Sequence, residues 1–261
     1  MEAAAFCLQD ENCWHFGERL KTSFEYFHKD IPFYLCHPNK VHELIGESFV
    51  WPTRNGSPLG LNSARMAVLL QIKKKFNYDA IIMFDADTLV TARLDEFLTT
   101  DYDIAGSLNV ERFPGDKFLN MGVVSLANND FIAYWADAMT QDHYWNTYGN
   151  EQEILNVLCG TLGRDGHIFK SKPWVVKTVD KEKVYYNERS RNYWGEIVIK
   201  DDKMFCNNRQ LKVMHWAGGG SFDARWSCKV FSQETRLHLN KITGTTDFTD
   251  HEGADAGWFH H

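Results

Sequence analysis

The sequence predicts an α/β domain with a mostly parallel central sheet flanked by helices, followed by a mixed α/β C-terminal part. Three observations carry this expectation. The core of Asp79-Ala-Ile-Ile-Met-Phe-Asp85 is continuously apolar, the pattern of a strand buried on both faces of a parallel sheet. Upstream of it, strand-like and helix-like segments alternate in the order a doubly wound sheet requires. Beyond Gly160 the pattern changes to short strand-like pieces separated by polar loops.

Taken in order, residues 3–8 read as a short buried strand. Trp14 to His28 reads as a helix, with Phe16, Leu20, Phe24 and Phe27 at spacings of three and four. Ile31 to Cys36 reads as a second strand, ended by a turn signal at Pro38-Asn39. The stretch 51–60, rich in Pro, Gly, Asn and Ser, reads as a loop. Asn62 or Ser63 is placed to cap a helix running to about Phe76. After the apolar strand, residues 92–99 read as helical and Tyr102–Ala105 as a short strand. Phe118–Leu126 reads as a strand interrupted by Gly122. Helices follow over about 129–139 and 150–158, then strand-like pieces at 174–179, 183–186, 196–200 and 211–214.

The chain has 261 residues, 44% hydrophobic and 24% charged, enough for one packed α/β domain. Its net charge of −7 argues against a nucleic-acid partner. An acidic protein still binds an anionic ligand when a cation neutralises the site locally. The six cysteines form no Cys-x-x-Cys pair and read as reduced, mostly buried thiols. Residues 1–8 lack the basic flank of a secretory leader, and no run approaches the ~20 apolar residues of a membrane span. The expectation is a cytoplasmic protein with no transmembrane segment.

The chemistry points to Asp85-Ala86-Asp87. Asp85 ends the apolar strand, and ligands of open α/β sheets bind at such carboxyl ends. In extended chain, residues two apart point the same way, so both carboxylates face one side. Such a pair repels itself unless a proton or cation bridges it. Hard oxygen ligands at this position suit Mg²⁺ or Mn²⁺ shared with substrate phosphates. A rival reading is a haloacid dehalogenase-like phosphatase with Asp85 as its phosphorylated nucleophile. Against it, Thr88 and Leu89 are out of step with that motif. No acidic pair follows a later apolar strand, and over 80 residues precede Asp85.

Five segments in order carry a resemblance. Ile82-Met-Phe-Asp85-Ala-Asp87-Thr-Leu-Val90, Asn120-Met-Gly122, Glu151-Gln152-Glu-Ile-Leu-Asn156, Tyr186-Asn187 and His215-Trp-Ala-Gly218 resemble the motifs of glycosyltransferase family eight, over roughly residues 60–220. This is the glycogenin and bacterial galactosyltransferase group. The resemblance implies the GT-A (Rossmann-like) fold and a metal-dependent, retaining hexosyltransferase. The donor is expected to be a UDP-sugar, the acceptor a carbohydrate or glycoconjugate. About 1–126 would be the nucleotide-sugar-binding half, about 127–230 the acceptor-side half, and 231–261 a C-terminal tail.

The resemblance also implies roles. His215 joins Asp85 and Asp87 as the third metal ligand, which favours Mn²⁺ over Mg²⁺. Ala86 lies between the two acids, against the nucleotide sugar. Gly218 opens a glycine turn whose N–H groups approach phosphate oxygens. Asn120, on the strand with Gly122, hydrogen-bonds the donor sugar or ribose. Glu151 accepts from donor-sugar hydroxyls, and Gln152 lies near the anomeric carbon. Arg65 reaches the donor sugar or phosphate. Leu8-Gln9-Asp10-Glu11 lies where the family reads the base. One departure stands out: Ser221 replaces the family's diphosphate-binding lysine. That loss also fits a third reading, a non-catalytic sugar-nucleotide-binding domain.

Overall fold

The structure is a computed structural model that describes residues 1–11, 14–108, 119–161, 174–178, 185–188, 197–206, 208–215, 231–246 and 248, with backbone alone at 108 and 185–188. Its central sheet has six strands. They are β1 (Ala3–Leu8), β2 (Phe33–Cys36), β5 (Ala80–Phe84), β7 (Ile104–Leu108), β8 (Leu119–Leu126) and β9 (Val176–Thr178). The spatial order is β2-β1-β5-β8-β7-β9. The β1–β2, β1–β5 and β7–β9 pairings are parallel, while β8 runs antiparallel to both neighbours. A smaller sheet joins β10 (Tyr185–Glu188), β13 (Arg209–His215), β12 (Lys203–Cys206) and β11 (Ile197–Lys200), with β6 (Thr88–Val90) paired to β13.

Helices α1 (Trp14–Phe27) and α3 (Leu61–Phe76) make the crossovers of the parallel part. Strand β5 shows why its apolar run is unbroken. Ile81 and Met83 enter the core beneath α3 and α4 (Asn129–Thr140), while Ile82 and Phe84 enter the core beneath α1. Both faces of the strand are covered, so alternation is lost. Along α1, Leu20 and Phe24 pack on the sheet. Phe16 and Phe27 turn to a third core shared with β12, β13 and α7 (Gln233–Thr243). No helix of the described residues is long and apolar enough to cross a membrane. Cys7, Cys36 and Cys159 are free thiols.

Several local readings are corrected. Pro38 opens a helix, α2 (Pro38–Ile45), instead of a turn, because proline's missing N–H costs nothing at a first helical position. The expected loop 51–60 holds a hairpin, β3 (Thr53–Arg54) and β4 (Ser57–Pro58), closed by Asn55-Gly56. Both turn residues have positive φ, 52° and 78°, the geometry that Asn-Gly supplies. Helix α3 starts at Leu61 with Gly60 as its N-cap, so Asn62 and Ser63 lie inside it. Residues 92–99 form only a single tight turn at Asp95–Phe97. Strand β8 runs through Gly122 without interruption; the irregularity lies in β7, between Gly106 and Leu108. Helix α5 (Asp142–Tyr148) was not foreseen; α6 (Glu151–Leu158) was, and the Asn150 side chain caps it.

One buried imidazole sets an acid limit on this fold. His28 is fully buried, stacks on Phe24 at 4.5 Å, and its Nε2 accepts from the Leu94 N–H at 3.1 Å. Burial, reinforced by the Arg93 charge, lowers its pKa to about 4 from 6.5. Between those two pH values the unfolded chain takes up a proton that the native state refuses. The stabilisation is therefore complete above pH 6.5 and is lost as pH falls towards 4. The full shift corresponds to about 3 kcal/mol. Urea denaturation at pH 7 and pH 5 checks this: His28→Gln is expected to lose about 2 kcal/mol less than wild type over that interval.

Candidate active site

The strand order β2-β1-β5 places a topological switch point between β1 and β5, where connections leave in opposite directions. Residues at the ends of these two strands border one cleft of about 690 Å³: Leu8, Gln9 and Asp10 at the end of β1, and Asp85, Ala86 and Asp87 after β5. A larger groove of about 840 Å³ runs along α1, β2 and α2, but it holds no comparable trio of ligating groups.

Asp85, Ala86 and Asp87 are not extended chain, as the two-residue alternation assumed; Ala86 and Asp87 form a turn between β5 and β6. The fully buried Thr88 pins that turn, its hydroxyl donating to the Asp85 carbonyl at 2.7 Å. Strand β6 then pairs antiparallel with β13, setting His215 opposite Thr88. This register delivers the imidazole to the acids. His215 Nε2 lies 3.1 Å from Asp87 Oδ1 and 3.6 Å from Asp85 Oδ2. Ligand atoms of all three residues lie within 4.8 Å of one another, the one such group among the described residues.

Arg65 and His215 act on the pair. The Arg65 guanidinium, on α3 and only 3% exposed, donates through Nη1 to Asp85 Oδ1. Burial opposes ionisation of Asp87, but the hydrogen bond and charge of His215, aided by Arg65, outweigh it and hold its carboxyl below the ordinary range. Two carboxylates, one neutral-capable imidazole and a cleft form a donor set that fits a hard or borderline divalent ion.

Antiparallel β8 brings its first residues to the same place. The Gly122 carbonyl accepts from the Asp85 N–H at 2.8 Å, and Met121 lines the cleft. Asn120 is fully buried, with Oδ1 accepting from the Gly122 N–H at 2.7 Å. Helix α6 is tied to this strand and to α3. Gln152 Oε1 accepts from the Met121 N–H at 3.0 Å, and Glu151 Oε1 accepts from the Ser63 hydroxyl at 2.8 Å. Asn156 is fully buried and mimics a strand partner: its amide accepts from the Leu119 N–H (2.6 Å) and donates to the Leu119 carbonyl (2.9 Å). Thus Arg65, Asp85, Ala86, Asp87 and Glu151 line one cleft, His215 meets its two acids, and Gly122 and Gln152 bond to the lining residues Asp85 and Met121, with Asn120 buried beside Gly122. Gly218 and Ser221 lie outside the described residues, as does most of the polar loop 187–195.

Two cleft residues went unassigned or only loosely assigned in the sequence. Gln9 is 4% exposed, and among the described residues neither its Oε1 nor its Nε2 has a hydrogen-bond partner. Gly17 makes room for this amide, because a Cβ there would fall 2.6 Å from Gln9 Nε2 and 2.4 Å from Leu35 Cδ1. Arg54, on the hairpin, also lines the cleft. The sequence signal that could have flagged Arg54 is Asn55-Gly56, which marks a hairpin able to hold its neighbour in place.

The architecture is the GT-A fold, as seen in solved glycosyltransferases. Among solved structures the chain is similar to the galactosyltransferase LgtC, crystallised with donor and acceptor sugar analogs. The TM-score is 0.54 at 18% identity, over 92% of this chain and 95% of that one. It is also similar to the bifunctional glycosyltransferase WbbM, with a TM-score of 0.52 at 13% identity over 93% of this chain. The match spans about half of WbbM, 49% of that chain. No family model matches the sequence, and no curated protein matches it.

Proposed function

We propose that this protein is a metal-dependent glycosyltransferase that moves a sugar from a nucleotide-diphosphate donor to a carbohydrate or glycoconjugate acceptor. The observation that carries the reading is the convergence of Asp85, Asp87 and His215 at the mouth of a cleft bordered by the ends of β1 and β5. The resemblance in sequence favours a UDP-sugar, Mn²⁺ and retention of anomeric configuration.

In this reading Asp85, Asp87 and His215 hold the divalent ion. When bound, the ion supplies positive charge against the diphosphate as its bond to the anomeric carbon lengthens. Arg65 holds Asp85 in place and adds charge behind it. Gln9 presents an unspent amide donor and acceptor at the end of β1, suited to the edge of a base. Glu151 accepts from donor-sugar hydroxyls, and Gln152 stands beside the anomeric carbon with its oxygen steadied by Met121. Asn120 and Gly122 shape the strand on which these contacts rest. The diphosphate leaves with the bonding electron pair, the acceptor hydroxyl adds on the same face, and its proton passes to a leaving phosphate oxygen. Residues 127–230 contribute the acceptor side. The phosphatase reading loses its basis, because the antiparallel β8 and the GT-A likeness describe a different fold.

The test has two parts. UDP with Mn²⁺ at about 100 times its Kd is expected to stabilise the protein by about 2.7 kcal/mol. For a chain of this size that raises Tm by roughly 5–10 °C. EDTA is expected to abolish the gain. Release of UDP from UDP-glucose or UDP-galactose in water then separates an enzyme from a non-catalytic binder. No thermal shift with any nucleoside diphosphate and Mn²⁺ would refute the proposal.

A further inference from the structure

We propose that Arg54 and its surroundings form a subsite for an oxyanion, a carboxylate or phosphate, carried by the acceptor sugar. The inference rests on the transferase reading for the word acceptor, but on independent geometry for the anion. Arg54 lines the same cleft as Asp85 and Asp87. Its guanidinium carbon lies over the Trp145 ring of α5, 4.3 Å from the centroid. Arg54 is ion-paired with Asp142, but loosely: Oδ1 is 3.8 Å from Nε, longer than a hydrogen bond, and Asp142 Oδ2 is occupied by the Asn55 amide at 2.6 Å. Arg54 Nη1 is buried and has no hydrogen-bond partner among the described residues.

A buried guanidinium donor without a partner costs free energy, and native folds keep such groups where a ligand meets them. A guanidinium that keeps an unspent donor suits carboxylate or phosphate. A second feature points the same way. Gly60, Leu61 and Asn62 border this cleft at the start of the sixteen-residue α3, whose N-terminus has no side-chain cap. Its first N–H groups and the positive end of the helix dipole therefore face the same space. In the transferase reading the ion site meets the donor diphosphate, and Arg65 is committed to Asp85. Arg54 lies against Trp145, in the part of the chain that contributes the acceptor side, so its charge is assigned to the acceptor.

The test is calorimetric titration of the full chain, with and without saturating UDP and Mn²⁺, using glucose, glucuronate and glucose 6-phosphate. Wild type is expected to bind at least one charged sugar about tenfold or more tighter than glucose, equivalent to ~1.4 kcal/mol. The two charged sugars distinguish a carboxylate site from a phosphate site. Arg54→Gln is expected to erase the difference and leave UDP–Mn²⁺ affinity unchanged, while Arg54→Lys restores part of it. Equal binding of all three sugars, including no binding of any, overturns the proposal. So does an unchanged preference in Arg54→Gln. Loss of UDP–Mn²⁺ binding in that variant also overturns it, by assigning Arg54 to the donor. A preference for charged sugars in a protein that binds no UDP–Mn²⁺ would leave the anion site standing and remove the transferase reading.

Discussion

Asp87→Asn is expected to lower sugar-nucleotide turnover by about 10³-fold. Asparagine keeps the shape of the side chain and one acceptor oxygen but carries no charge. In the wild-type site, His215 and Arg65 hold Asp87 ionised against the cost of burial. The substitution therefore removes half of the anionic charge offered to a divalent ion. Loss of one preorganised electrostatic group in a cleft of this kind costs about 10²–10³ in kcat; weakened metal retention adds to it at limiting Mn²⁺. The measurement is UDP release at fixed donor over a Mn²⁺ titration. Folding should change little, since Asp87 sits on a turn and its side chain is 32% exposed. Turnover within tenfold of wild type at every Mn²⁺ concentration would remove Asp87 from the site.

The second large effect is expected from Asn156→Leu. Leucine has a similar size, so little cavity forms, but the bonds made by the Asn156 side-chain amide are lost. The Leu119 N–H and carbonyl lose their bonds, as do the Gln152 carbonyl (2.8 Å) and the Thr161 hydroxyl (2.6 Å). Buried groups left unsatisfied cost about 1–3 kcal/mol each, with partial relief by rearrangement. A net loss of about 3 kcal/mol is expected, seen as a fall in Tm of roughly 6–12 °C. Activity should fall further than stability at temperatures where the variant stays folded, because Asn156 aligns α6 with the start of β8. That alignment positions both the Gln152–Met121 contact and the Gly122–Asp85 contact. An Asn156→Leu protein with wild-type Tm and turnover would show that this bridge is dispensable.

Much of the fold was legible locally. β1, α1, β5, α4 and α6 appear where the periodicity placed them, within a residue or two. Each buries a face whose spacing is written in consecutive residues. The hairpin at Thr53–Pro58 was legible too, through Asn55-Gly56, but the surrounding proline and glycine obscured it. The helix α2 start was hidden because Pro38 signals both a turn and a first helical position. Helix α5 is short and carries one fully buried residue, Tyr144, so its sequence has almost no periodicity to read.

By itself the sequence determined the class of domain, the apolar strand ending in Asp85, and which acids and imidazole to suspect. Those features depend on neighbours along the chain, where side-chain spacing has direct geometric meaning. Only the tertiary structure decided that the carboxylates sit on a turn, and that β6–β13 pairing brings His215 to 3.1 Å from Asp87. It also decided that β8 runs antiparallel, that Gln9 keeps an unpartnered amide, and that Arg54 lies on Trp145 in the same cleft. Strand register and side-chain stacking are settled between segments distant in the chain, and local periodicity carries no information about that choice.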